Sequence, residues 1–305
     1  MKNRYLLSIL FRCILFAPLM LAGNLQVFAQ HKTNLPYVRY EYQIKPSLTD
    51  KSITNADVPH LVLYDPKAKH GKLMVFLTGT GGIAAKGPRD YFNTAIEQGY
   101  RLISLSYLDE PAVAQICTGN NLDADPDCAD EFRMKRIYGT GTFSLISDQP
   151  QDAIVNRLIK LLQYLTLNDP GENWEQYLEN DSLKWSEIAF SGQSQGGGMS
   201  EYIGKHQMVY KVISFSGGWD WSGERRIANW YATSNITPPD SWFGTYNVNE
   251  PTANVILKHY NALKIPPGHI YAFDLAVRDG GKAHGEGISN PAYKPKWIEM
   301  LGKGN

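Results

Sequence analysis

The stretch "AFSGQSQGGGMS" (189–200) contains Gly192-Gln193-Ser194-Gln195-Gly196, a serine with a glycine two residues to either side. That spacing suits a serine on a sharp strand-to-helix turn. Glycines without β-carbons let the helix pass close to the strand, and the hydroxyl is pushed outward as a candidate nucleophile. A serine hydroxyl is weakly nucleophilic at neutral pH and needs a neighbouring base. Seven histidines are available. His31, His60 and His70 precede the first glycine loop, His206 and His259 fall in or near predicted helices, and His269 opens the last predicted strand. His284, in "RDGGKAHGEG", alone follows that strand and is the candidate base.

A carboxylate must then orient the histidine and stabilise its charged form. Glu250, at the end of "WFGTYNVNE", is the first candidate; Asp279, close to His284 in sequence, and Asp220, after "FSGGW", are the runners-up. A tetrahedral intermediate also needs hydrogen-bond donors for its oxyanion. The backbone N–H of Gln195, next to the serine, and that of Thr80, in "LTGTGG", are expected to supply them. The side chains of Gln193 and Gln195 receive no role.

The elements that must position these residues follow from periodicity. "YVRYEYQI" and "HLVLYDP" are short β-rich pieces, "KLMVFLTGTGG" (72–82) and "RLISLSYLD" (101–109) are buried strands, and "SEIAFSG" (186–192) leads into Ser194. "VYKVISFSGG" (209–218), "DSWFGTYNVNE" (240–250) and "GHIYAFDLAV" (268–277) complete the strands. Between them, "RDYFNTAIEQGY" reads as a helix stopped by Gly99. "SDQPQDAIVNRLIKLLQYLTLN" reads as a helix capped by Ser147 or Asp148, with an apolar face of Ile154, Leu158, Leu161, Leu162 and Leu165. Helices are also expected at "GGGMSEYIGKH", "PTANVILKHYNALK" and "NPAYKPKWIEMLG". Residues 110–146 read as a long loop region and 169–183 as a polar surface insertion. Alternating apolar strands and helices predict an α/β fold, a mostly parallel sheet covered on both faces, with its functional residues at the carboxyl ends of strands.

On the G-x-S-x-G turn, the Gly79-Thr80-Gly81-Gly82 loop and the late His284, the chain resembles the α/β-hydrolase superfamily over about residues 60–305. "LSYLDEPAVAQIC…C…FR…YGTG" and "SGQSQGG" make it most similar to secreted bacterial BPSS1187-like hydrolases. The resemblance implies acyl transfer from an ester to water through a Ser-acid-His set; separately, the leader has no twin-arginine pair, so export of an unfolded chain without a preloaded cofactor is expected, and no metal is expected. Thr78-Gly79 stands where His-Gly is usual, and Glu where Asp is commoner. A serine peptidase or amidase on the same three residues is the alternative within the class. A non-catalytic binding protein on a hydrolase scaffold is the alternative outside it.

The chain ends and composition set the setting. Lys2, Arg4 and Arg12, then "CILFAPLMLAG", then Val27 and Ala29 at small-residue positions, predict a signal peptide (1–29) cut after Ala29 and a secreted or periplasmic protein. Its removal takes the formal net charge from 0 to −3. No basic run suggests a nucleic-acid or membrane partner, so the expected partner is a small or polymer-attached ester. About 275 residues remain (30–305), the size of one domain with insertions. Cys13 leaves with the leader; Cys117 and Cys128, an even pair in an oxidising compartment, are expected to form a disulfide.

Three other patterns compete. "FLTGTGGIA" holds G-x-G-x-x-A (Gly79, Gly81, Ala84), with Asp109 near where a ribose-binding acid would stand; Lys86-Gly87-Pro88 delays the helix that would have to meet a pyrophosphate. "DADPD" (Asp123, Asp125, Asp127) alternates like a calcium loop but has Pro126 inside and no glycine at the sixth position. Residues 216–243 are aromatic (Trp219, Trp221, Trp230, Tyr231, Trp242, Phe243) and read either as a cap over the pocket or as ordinary packing.

Overall fold

The computed structural model describes residues 39–224, 226–277 and 282–305. The leader expected at 1–29, His31 and Asp279 lie outside the described residues. In chain order the elements are β1 (Tyr40–Ile44), α1 (Pro46–Thr49), β2 (His60–Tyr64), β3 (Leu73–Leu77), α2 (Arg89–Glu97), β4 (Arg101–Leu105), α3 (Val113–Ile116), α4 (Asn120–Ala124) and α5 (Cys128–Tyr138). Then come α6 (Ile154–Asn168), a two-strand ribbon β5 (Leu178–Glu179) and β6 (Ser182–Leu183), β7 (Ile188–Gln193), α7 (Gln195–His206), β8 (Lys211–Phe215) and β9 (Trp242–Asn247). The chain closes with α8 (Ala253–Ala262), β10 (Ile270–Phe273), α9 (Ala283–Ser289) and α10 (Lys294–Leu301).

Eight strands form one sheet in the order β1-β2-β4-β3-β7-β8-β9-β10. Only β2 runs against its neighbours; every pair from β4 to β10 is parallel. Parallel strands need crossovers, and the crossover helices cover both faces. The strand sequence shows this directly. In β3, Leu73, Val75 and Leu77 point into one apolar layer with Leu158, Leu161 and Leu162 of α6. Met74 and Phe76 point into the other, with Tyr91 and Phe92 of α2 and Trp297 of α10. Two-sided burial is why β2, β3 and β4 are apolar or fully buried at every position.

Register decides what meets at the carboxyl edge. Leu77 pairs with Gly192, Gln193 with Phe215, Phe215 with Thr245 and Asn247 with Phe273. The loops after β3, β7, β8, β9 and β10 therefore leave the sheet side by side.

Three expectations change. Residues 110–146 are not a long loop: they carry α3, α4 and α5, and the Cys117–Cys128 disulfide joins the end of α3 to the start of α5. Closing a loop of this length, with a sequence separation of 11, restricts the unfolded chain by about 3 kcal/mol in the chain-entropy account. Residues 169–183 are not simply a polar insertion, because Trp174 and Tyr177 are fully buried. The Arg101 guanidinium, itself buried, stacks 3.5 Å from the Trp174 ring and 4.7 Å from Tyr64, fastening this segment to the sheet. Asp148 does not cap α6. Its carboxylate accepts from Arg136 Nε and Nη2 at 2.8 and 3.0 Å, and α6 starts at Ile154 after a short turn at Pro150–Asp152.

Candidate active site

Ser194 sits between β7 and α7 with φ 56° and ψ −119°. A non-glycine residue held there stores on the order of 1–3 kcal/mol of backbone strain. The surroundings enforce it. The Ser194 N–H donates to Phe215 O at 2.8 Å, and its carbonyl accepts from Gly198 N–H at 3.1 Å. A β-carbon at Gly192 would run into the backbone of Gly196, and one at Gly196 into the Leu77 carbonyl. Both glycines of the G-x-S-x-G are thus required by close approach of helix to sheet.

Glu250 follows β9, and its side chain is 1 % exposed. Its Oε1 accepts from Ser216 Oγ at 2.6 Å and from Asn247 N–H at 2.8 Å; its Oε2 lies 2.7 Å from His284 Nδ1. Burial pushes the carboxyl pKa up, but the hydrogen bonds from His284, Ser216 and Asn247 outweigh it and hold the group below its ordinary value. An ionised carboxylate at Nδ1 keeps the proton on that nitrogen and leaves Nε2 as the acceptor. His284 is the second residue of α9, a helix not expected from the sequence.

Ser194 and His284 line one cavity of about 220 Å³ together with Thr80, Gln195, Trp219 and the segment Ala112–Gln115. The Ser194 hydroxyl has no hydrogen-bond partner among the described residues. Catalytic hydrogen bonds are often long before substrate binds and tighten in the complex. Gln195 opens α7, so its N–H lies in the first turn, where N–H groups lack intrahelical acceptors. Thr80 follows β3 at the same edge, beside Gly79, whose added β-carbon would meet Gln193 Oε1 at 2.6 Å and Ser194 Cβ at 3.2 Å. The loops carrying the two expected oxyanion donors are therefore in contact.

Of the other acid candidates, Asp220 is fully buried, accepting from Arg133 Nε and Nη2 at 2.7 and 2.6 Å and from Trp230 Nε1 at 2.8 Å. It serves that ion pair and not His284. Asp279 lies outside the described residues.

Sequence reasoning missed several partners. Gln193, given no role, donates from Nε2 to the His284 carbonyl at 3.3 Å. Gln195, also given no side-chain role, is 2 % exposed; its Oε1 accepts from Val113 N–H at 2.9 Å and its Nε2 donates to Asp109 O at 2.6 Å. Ser216, at φ 50° directly after β8, holds Glu250; "FSGG" after a strand was the one signal for it. Among the aromatic residues of 216–243, Trp219 alone lines the cavity; its ring stands edge-on to His284 at 5.1 Å and 87°. Trp230, Tyr231 and Trp242 are buried packing. In the "DADPD" segment, Asp123 accepts from Arg226 Nη2 at 3.0 Å and from Gly223 N–H at 3.1 Å.

Behind the serine, Glu201 of α7 is fully buried. It accepts from Ser214 Oγ at 2.6 Å, and burial raises its pKa to about 7 against relief from Ser214 and Arg133. Between an unfolded value of 4.5 and about 7, the folded chain keeps a proton that the unfolded chain has lost. Stability from this group is thus full below the lower value and falls as pH rises through the upper one, by up to about 3 kcal/mol. Glu201→Gln removes the titration. Its melting temperature should match wild type near pH 4.5 and exceed it by several degrees at pH 8. Parallel melting curves across that range would rule this out.

No family model and no curated protein matches the chain. Among solved structures, an S-formylglutathione hydrolase from Agrobacterium tumefaciens superposes with a TM-score of 0.50 at 13% identity, covering 88% of this chain and 98% of that one. The chain has the α/β-hydrolase fold. Looser likenesses include a phosphonate-inhibited esterase B from Lactobacillus rhamnosis (TM-score 0.47, 12% identity, 86% and 82% covered) and an esterase from Pyrococcus furiosus (TM-score 0.46, 10% identity, 87% and 92% covered). In this chain Ser194, Glu250 and His284 leave the sheet after β7, β9 and β10, all at one edge.

Proposed function

We propose that this chain is a serine hydrolase of carboxylic esters, with Ser194 as nucleophile, His284 as base and Glu250 as the orienting acid. The observation that carries this reading is the 2.7 Å contact of Glu250 with His284 Nδ1, with His284 lining the same cavity as the strained Ser194. Ser194 Oγ bonds to the ester carbonyl carbon as its proton passes to His284 Nε2. The carbonyl electron pair moves onto oxygen, where the N–H groups of Thr80 and Gln195 receive it. Collapse breaks the carbon–alkoxide bond, and the leaving alkoxide takes the proton from His284. Water then attacks the acyl-enzyme, giving its proton to His284. Release of the acid returns a proton to Ser194 Oγ. Glu250 stays ionised throughout and balances the imidazolium.

The same reading keeps residues 30–305 as one hydrolase domain, exported by the leader cut after Ala29; the Cys117–Cys128 disulfide suits an oxidising compartment. "LSYLDEPAVAQIC" and "SGQSQGG" support grouping it with the secreted BPSS1187-like hydrolases. The test is to incubate the mature protein with a fluorophosphonate probe and with p-nitrophenyl acetate. Covalent labelling and ester turnover are the expected results. A protein that neither labels nor turns over is a binding protein on a hydrolase scaffold.

A further inference from the structure

We propose that Ser216 is a positioning residue for the acid–base pair: its hydroxyl fixes how Glu250 meets His284, and its carbonyl fixes Trp219 against the imidazole. The proposal rests on the serine-hydrolase reading above and deepens it. Gln193 of β7 pairs with Phe215 of β8, so Ser194 and Ser216 follow adjacent strands at the same level. Both are held at positive φ, 56° and 50°. Among the described residues, no other non-glycine residue with positive φ directly follows a strand of the large sheet. Such a conformation persists only where the surroundings over-determine it, and it collects at functional sites. A glycine would relieve the strain but would also remove the hydroxyl from which Glu250 accepts.

The peptide unit joining Phe215 to Ser216 is bonded on both sides. Its carbonyl accepts from Ser194 N–H and its N–H donates to Thr245 O, each at 2.8 Å. It therefore ties the turn of the nucleophile to β9. The left-handed backbone immediately after it carries Ser216 Oγ to Glu250 Oε1 at 2.6 Å. Ser216 is 5 % exposed and the Glu250 side chain 1 %, so this charge-assisted bond is made away from water, where such bonds are strong. Together with Asn247 N–H it occupies Oε1 and leaves Oε2 to meet His284 Nδ1 at 2.7 Å. The Ser216 carbonyl accepts from Trp219 Nε1 at 3.0 Å, and the Trp219 ring stands edge-on to His284. One strained residue thus governs two of the groups that touch the imidazole.

The experiment measures kcat and KM for p-nitrophenyl acetate, fluorophosphonate labelling and melting temperature. The proteins are wild type, Ser216→Ala, Ser216→Gly, Trp219→Phe, Glu250→Gln and the double variant Ser216→Ala with Glu250→Gln. Ser216→Ala should lower kcat by about ten- to a hundredfold with KM within about twofold. Ser216→Gly fits the left-handed backbone, lacks the same hydroxyl and should lose about as much; it carries the test if the alanine variant does not fold. Trp219→Phe keeps a ring without the Nε1 donor and should lower kcat by about threefold or more. Because Ser216 acts through Glu250, adding Ser216→Ala to Glu250→Gln should cost less than about twofold more, a non-additivity that a merely structural serine does not produce. A folded Ser216 variant with wild-type kcat overturns the proposal, as does a Ser216→Ala loss undiminished in Glu250→Gln. Wild-type kcat in Trp219→Phe overturns the arm through Trp219. In each of these cases wild type still labels and turns over ester, and the hydrolase reading stands. If wild type does neither, both readings fall.

Discussion

Ser194→Ala is expected to abolish fluorophosphonate labelling and to lower ester turnover by about four to six orders of magnitude, with the fold intact. Under the proposed mechanism the size follows from removing the atom that would form the acyl bond, leaving water attack helped by the oxyanion donors. The fold should survive because the Ser194 hydroxyl holds nothing in place among the described residues. The turn is fixed by backbone hydrogen bonds to Phe215 and Gly198 and by the close approach at Gly192 and Gly196, all of which alanine leaves unchanged. Labelling and melting temperature together decide the matter. A Ser194→Ala protein that still labels has its nucleophile elsewhere; one that fails to label only because it is unfolded would show it in the melt.

Glu250→Gln should lower kcat by about three to four orders of magnitude with little change in KM. The amide retains an acceptor for Ser216 Oγ and Asn247 N–H, so the loop after β9 stays held. It presents a donor to His284 Nδ1, which favours the wrong tautomer and cannot balance an imidazolium. A loss of less than tenfold would remove Glu250 from the role. Asp220→Asn provides the contrast. It breaks the buried pair with Arg133 and should act chiefly on stability. The pH dependence of Glu250→Gln has a definite sign. Because the folded pKa of Glu250 lies below its ordinary 4.5, its contribution to stability is present above that value and lost as pH falls through the depressed one. The melting difference between wild type and Glu250→Gln should therefore shrink on acidification.

Much of the site was legible because each part carries a local signature. Gly192 and Gly196 are dictated by contacts with residues next in the chain or on the adjoining strand, so the G-x-S-x-G spacing itself reports the turn. His284 and Glu250 were singled out as candidates from their order after successive strands, and the fold brings them to 2.7 Å of each other. The partners that could not be read all depend on a side chain reaching another element: Gln195 to Val113, Gln193 to the His284 carbonyl, Ser216 to Glu250. Nothing in the local sequence distinguishes a glutamine that spans 82 residues from one in water. The same is true of Asp148, one of two candidate caps in sequence, which Arg136 captures in the fold.

Apolar alternation and the punctuation by glycine and proline determined the eight strands, the helices α2, α6, α7, α8 and α10 and the candidate nucleophile from the sequence alone, because those patterns follow from periods of 2 and 3.6 and from local sterics. Tertiary structure decided which carboxylate meets His284, how 110–146 becomes helical, and which residues line the cavity at Ser194. Those outcomes depend on register between strands distant in sequence and on competition among several acids for few cations. Such interactions exist only once the chain has closed on itself.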